Sequence, residues 1–103
     1  MKVAITSTGN TPGSLLDSRF GRCAYFVIYD TQSKSTEYIP NPNKDSLEGA
    51  GPASVQLVAS KGVEKVISGE FGVKVKSVFD RLQIQLIMIK DQEKTIKEIL
   101  DLL

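Results

Sequence analysis

The chain has no histidine in its 103 residues. That absence removes the commonest general acid–base group near neutral pH and the commonest metal ligand. Histidine-dependent triads, histidine zinc sites and the zincin motif go with it. Cysteine is nearly absent too. Cys23 stands alone, so no intrachain disulfide forms, and the usual four-cysteine iron–sulfur site cannot be built from one chain. No apolar run approaches the ~18 residues of a membrane span. Lys2 to Ile5 begins a strand-like run without the charged region, long apolar segment and cleavage site of a signal peptide. Charge of one sign is also lacking: 13 basic against 12 acidic residues leave +1, no footprint for nucleic acid or an anionic membrane. We expect a soluble, cytoplasmic protein of one domain, residues 1–103, held together by its core.

What is present suits that expectation: 41% hydrophobic and 24% charged residues are ordinary for a globular chain. Lys2–Ser7 is short, apolar and β-branched, a central strand that breaks at the turn residues Thr8–Ser14. Leu15 and Leu16 are expected to fold back onto the core. Cys23–Asp30 reads as a second strand and Thr36–Ile39 as a third, joined by a polar hairpin turn and stopped by Pro40 and Pro42.

After a polar loop, Gly49-Ala50-Gly51-Pro52 opens a helix, with Pro52 in its first turn and Gly62 just past its end. Ala53, Leu57 and Val58 or Ala59 are expected on its buried face. Val63–Ile67 is a strand ending at Ser68-Gly69-Glu70-Phe71-Gly72. Val75, Val78, Phe79 and Leu82 mark the next helix by their i, i+3, i+4, i+7 spacing. Ile84–Ile89 is almost continuously apolar, as in a strand covered on both faces. Asp91 is the expected N-cap of a last helix carrying Ile96, Ile99, Leu100 and Leu103 on one side.

The order β-β-β-α-β-α-β-α implies an α/β fold with a mixed five-stranded sheet and helices packed on its faces. Right-handed crossovers make strands one, four and five parallel and favour the spatial order 3-2-1-4-5, a ribonuclease-H-like motif. The loops at Gly9–Gly13, Gly49–Pro52 and Gly69–Gly72 are then expected to meet near one sheet edge, where open α/β sheets bind ligands. A two-metal nuclease is excluded, because the first strand carries no acid and the other carboxylates are scattered.

Candidate binding residues gather in Arg19-Phe20-Gly21-Arg22-Cys23 and in two glycine-bounded strand-to-helix loops, Gly49/Gly51 and Gly69/Gly72. Helix starts expose N–H groups at the positive end of a dipole, which suits an anion, although glycine also serves any tight turn. Neither complete phosphate fingerprint occurs. Arg19 and Arg22 can fork onto carboxylate or phosphate, or simply be solvated. Cys23 is either a small buried hydrophobe or, lowered in pKa by nearby cations, a soft metal contact. Phe71 covers the crevice or belongs to the core. Glu70 is expected to turn away from an anion or to serve as a charge on the N-cap side of the next helix. As a nucleophile Cys23 would need a lysine or carboxylate base, and no spacing supplies one, so no enzyme is expected.

Asp17-Ser18-Arg19-Phe20-Gly21-Arg22 followed by Tyr25-Phe26, the Asn41-Pro42 pair, Gly49-Ala50-Gly51 opening a helix and Gly62-Val63 entering a strand occur together. Together they resemble the dinitrogenase iron–molybdenum cofactor biosynthesis family, the small NifX-like and NifB C-terminal-like domains, over Met1 to about Ile89. The resemblance implies a ribonuclease-H-like domain that binds or carries an iron–sulfur or iron–molybdenum cluster, or its precursor, without catalysis. A cofactor donor or acceptor protein is then the partner, with the chain a monomer or weak homodimer. Relatives that handle the cofactor tend to offer histidine or further cysteine, which this chain lacks. Its expected site is Arg19, Gly21, Arg22, Gly49, Gly51, Gly69 and Gly72, with Cys23 as the one metal contact. The alternative is a metal-free anion-binding or protein-interaction module.

Overall fold

The computed structural model describes residues 1–91 and 93–103. Five strands form one sheet: β1 (Lys2–Ser7), β2 (Tyr25–Asp30), β3 (Thr36–Pro40), β4 (Val63–Ser68) and β5 (Gln85–Met88). Their spatial order is β3-β2-β1-β4-β5. β2 is antiparallel to β1 and β3, while β1, β4 and β5 run parallel, as the crossovers require. The α/β class and strand order match the sequence reading.

Alternation along the strands splits the core into two layers. Ala4, Phe26, Ile28 and Val66 face helices α1 (Ala50–Ala59) and α2 (Val73–Arg81), with Val55, Val58, Val75 and Phe79 packed on them. Val3, Ile5, Val27 and Ile67 face the other way, onto α3 (Ile96–Leu100), through Ile96 and Ile99. Leu16 joins this second layer, whereas Leu15 stays exposed.

Four local expectations are corrected. β2 begins at Tyr25, because Cys23 and Ala24 complete the preceding turn. α1 opens with Pro52 in its first turn as expected, after Gly49, at φ 73°, turns the chain into it, but its fully buried face is Ala50, Ser54, Val55 and Val58, with Leu57 only partly buried against the core. β5 is covered less than its apolar run suggests, since it is the sheet's last strand and its residues are half-buried or exposed. Thr95, not Asp91, caps α3, accepting from the Glu98 N–H while the Glu98 carboxylate accepts from the Thr95 N–H. Asp91 instead accepts from the Glu93 N–H. Gly62, at φ 75°, does follow α1 as expected.

Candidate functional site

β1 and β4 end side by side, and a buried polar network there anchors the start of the 17–23 loop. The Thr6 hydroxyl donates to the Asp17 carbonyl at 2.7 Å, with Ser68 Oγ 3.0 Å from its oxygen. The Gly69 N–H also donates to the Asp17 carbonyl. Beyond this anchor the buried Asp17 carboxylate accepts from the Arg19 N–H at 2.9 Å, and Arg19 pairs with Glu70 as a short parallel bridge.

Phe20 then plunges into the core. Its ring stands 5.6 Å from Phe26, 5.7 Å from Phe71 and 5.3 Å from Phe79, centre to centre, the last edge-on. Such aromatic pairs contribute beyond their buried area. Phe20 was not singled out from the sequence, although a lone aromatic between two arginines in a polar loop is the pattern of an anchor.

Gly21 lets the loop lie directly on α1. A Cβ built there would stand 3.0 Å from the Gly51 nitrogen and 3.1 Å from its Cα. Asn41, buried just past β3, clamps the same turn: its amide donates to the carbonyls of Gly21 at 3.1 Å and Cys23 at 3.0 Å. Ser54 on α1 donates to the Gly21 carbonyl as well. The Arg-Phe-Gly-Arg loop and the Gly-Ala-Gly helix start, far apart in sequence, thus form one surface.

That surface walls a cleft of about 510 Å³. Arg19–Arg22 form one side, Leu47–Pro52 a second, and Glu70–Gly72 with Val75 a third. The starts of both α1 and α2 border it, and neither has a side-chain cap. Among the described residues no acceptor meets the Ala50 or Gly51 N–H. They set partial positive charge beside Arg19, whose side chain is 61% exposed and pairs with the buried Asp17 carboxylate at 3.5 Å, while Glu48 and Glu70 bring negative charge to the same lining. A cleft of this size falls within the ~300–1,000 Å³ range of small-ligand sites.

Of the expected site residues, Arg19, Gly21, Arg22, Gly49, Gly51 and Gly72 line this cleft. Arg22 does so while partly committed, its guanidinium donating to the carbonyls of Lys44 and Ser46 and so holding the 44–46 loop in place. Three expectations fail. Gly69 packs against Ser18, whose Cα lies 2.6 Å from where its Cβ would be, so its role is close packing outside the cleft. The Gly9–Gly13 loop turns away toward α3, accepting at the Pro12 carbonyl from the Lys97 N–H. Glu70 fails only the first of its two readings: it does not point away but lines the cleft, two residues before the Gly72 N-cap of α2, and places a negative charge at its rim. Phe71 answers to both of its readings, as core residue and cleft wall.

Cys23 as a metal contact is also corrected. It is 0% exposed within the α1/α2 core layer and borders none of the cavities described. Burial, reinforced by the Asp17 charge, pushes its thiol from 9.0 up to about 12. A neutral, enclosed thiol is the opposite of the exposed thiolate that binds soft metals. Among the described residues no group of three or more cysteine, aspartate or glutamate side chains could hold a metal ion.

The sequence profile described as "dinitrogenase iron-molybdenum cofactor" matches residues 1–103. The chain belongs to this dinitrogenase iron–molybdenum cofactor family. An uncharacterized protein of Methanocaldococcus jannaschii is 34% identical over 84% of this chain and 72% of its own length. The apo form of the orange protein from Desulfovibrio gigas superposes with a TM-score of 0.89 at 27% identity, over 97% of this chain and 83% of that one. A Thermotoga protein provisionally named NifB, solved by NMR, gives 0.82 at 34% identity over 97% and 84%. Within the dinitrogenase iron–molybdenum cofactor family, this member therefore builds its cleft from arginine and helix N-termini.

Proposed function

We propose that the chain acts as one domain, residues 1–103, that binds and carries an anionic metal–sulfur cluster of iron–sulfur or iron–molybdenum type, or its precursor. It passes this cargo between a donor and an acceptor protein in the cytoplasm and catalyses no reaction. The observation that carries this reading is the convergence of two uncapped helix N-termini and Arg19 on one open cleft. A cluster with its own sulfide and organic acid ligands is negatively charged, and this cleft offers charge and N–H donors instead of coordinating side chains. Holding cargo by charge suits a carrier, because release then requires no metal–protein bond to break. No helix of the described residues is long and apolar enough to cross a membrane, consistent with that setting.

The test is anaerobic incubation with an iron–sulfur cofactor donor, desalting, and visible absorption of the protein fraction. Wild type and Cys23→Ala are expected to retain equal chromophore, and Arg19→Ala markedly less. A wild type that retains none overturns the carrier reading. The second reading, a metal-free anion-binding or protein-interaction module, is favoured by the burial of Cys23. It predicts inorganic phosphate binding at the same cleft, read by calorimetry and lost in Arg19→Ala, with no chromophore retained.

A further inference from the structure

A second groove, of about 550 Å³, runs along the open side of α2 beside β5 and includes Val73, Lys76, Asp80, Ile84, Leu86 and Met88 in its lining. β5 is an edge strand, paired with β4 on one side and with no strand of the described residues on the other. The two edges of the sheet are built differently. β3 ends in Pro40 and carries Glu37, paired with Lys61 at 3.7 Å, which are devices that discourage edge pairing. β5 reads Gln-Leu-Ile-Met, with neither charge nor proline. Beside it, Met88 is 48% exposed and Val73 83% exposed. An apolar, uncharged edge of this kind is a template for strand addition.

The charges beside the groove identify what adds. Lys76 and Asp80 are exposed, one turn apart on α2, and line the same groove. Among the described residues neither joins an ion pair. A patch with one positive and one negative group set along it complements a copy of itself turned by a two-fold axis, which an isologous interface demands. We propose that this groove seats a second copy of the chain, the two β5 strands pairing antiparallel across an axis through Leu86.

Side-chain parity requires the axis to pass through a residue, since directly opposed residues must share a face; with the axis at Leu86, Leu86 opposes Leu86 and Ile84 opposes Met88. α2 returns antiparallel to the strands it connects, so the two helices also meet antiparallel. An arrangement that also brings Lys76 of each copy level with Asp80 of the other makes two equivalent ion pairs. The sheet continues through both copies and the apolar edge is covered. Phe71 borders both the groove and the cleft, so the interface adjoins the cleft. The inference does not depend on the nature of the cargo.

Sedimentation velocity of the full chain over a concentration series tests it. Wild type is expected to show a monomer–dimer equilibrium. Lys76→Glu and Asp80→Lys should each weaken it about tenfold by facing like charges, and the double variant Lys76→Glu/Asp80→Lys should recover it. Both positions are exposed on a helix, so neither change threatens folding. Met88→Lys, checked for native circular dichroism, should abolish the dimer by placing a cation in the apolar edge. A wild type that stays monomeric up to its solubility limit overturns the proposal. So does a dimer indifferent to these changes, or a double variant that fails to recover.

Discussion

Gly21 and Gly51 touch through their backbones, close enough that a Cβ on Gly21 would stand 3.0 Å from the Gly51 nitrogen. This contact joins the arginine loop to the start of α1. It brings Arg19 and Arg22 and the unpaired N–H groups of the helix to one cleft, and it is the reason glycine stands at position 21.

The two glycines should respond differently to alanine. In Gly21→Ala the new methyl meets backbone, which cannot move aside without shifting α1, so a loss of about 1–3 kcal/mol is expected. In Gly51→Ala it meets only Val75 Cγ2, at 3.0 Å, the end of a side chain. Alanine also favours a helix over glycine by ~1 kcal/mol at most. Urea denaturation should therefore rank Gly21→Ala well below Gly51→Ala, which stays near wild type.

Asn41→Ala should cost about 2 kcal/mol, because the carbonyls of Gly21 and Cys23 lose a buried donor. Asn41→Asp keeps the shape but has no amide to donate, and is expected to restore nothing. Denaturant midpoints for the two variants check this. Cargo or phosphate binding should fall alongside, since the same clamp positions the arginine loop.

Cys23 should be silent to thiol reagents at neutral pH in the folded protein and react on unfolding. Its folded pKa, about 12, lies above the 9.0 of an ordinary thiol. Below 9.0 both states hold the proton and its contribution is fully present. As pH rises between those values the unfolded state loses its proton first, so stability declines. Cys23→Ala should remove that part of the alkaline decline, seen by comparing melting temperatures of the two proteins from pH 8 to about pH 11.

Glu70→Gln should tighten anion binding at the cleft, about two- to fivefold at low salt, by removing the negative charge at its rim. Arg19→Ala should weaken binding by more. Both effects should shrink as salt rises, since the side chains involved are exposed and screened. Phosphate titrations at two ionic strengths measure this. Equal affinity of wild type and Glu70→Gln would place the anion away from this rim.

Much of the fold was legible because it rests on local sequence patterns. The short β-branched and apolar runs of β1, β2 and β4, the 3.6-residue stripe of α2, and the glycines at 49 and 62 each declare an element or its boundary without help from distant residues. The element order and the handedness of crossovers then restrict the sheet to the observed strand order. The faces of α1 and the cap of α3 were less legible. Ser54 is buried because its hydroxyl meets the Gly21 carbonyl, a partner 33 positions away. Asp91 and Thr95 are both acceptable caps locally, and packing of Ile96 and Ile99 on the sheet selects the second.

The candidate site divides the same way. Residue type alone determined that histidine chemistry is excluded, that Arg19 and Arg22 are the cations on offer, and that glycine opens both helices beside them. Tertiary structure decided which of these reach the cleft, because exposure and pairing are set by contacts between segments far apart in sequence. It turned Cys23 inward under Asn41, committed Arg22 to the 44–46 loop, set Gly69 against Ser18, and left Glu70 on the rim. A thiol beside an arginine looks activated in a string of letters. In the folded chain, burial and the Asp17 charge both raise its pKa and the thiol becomes core.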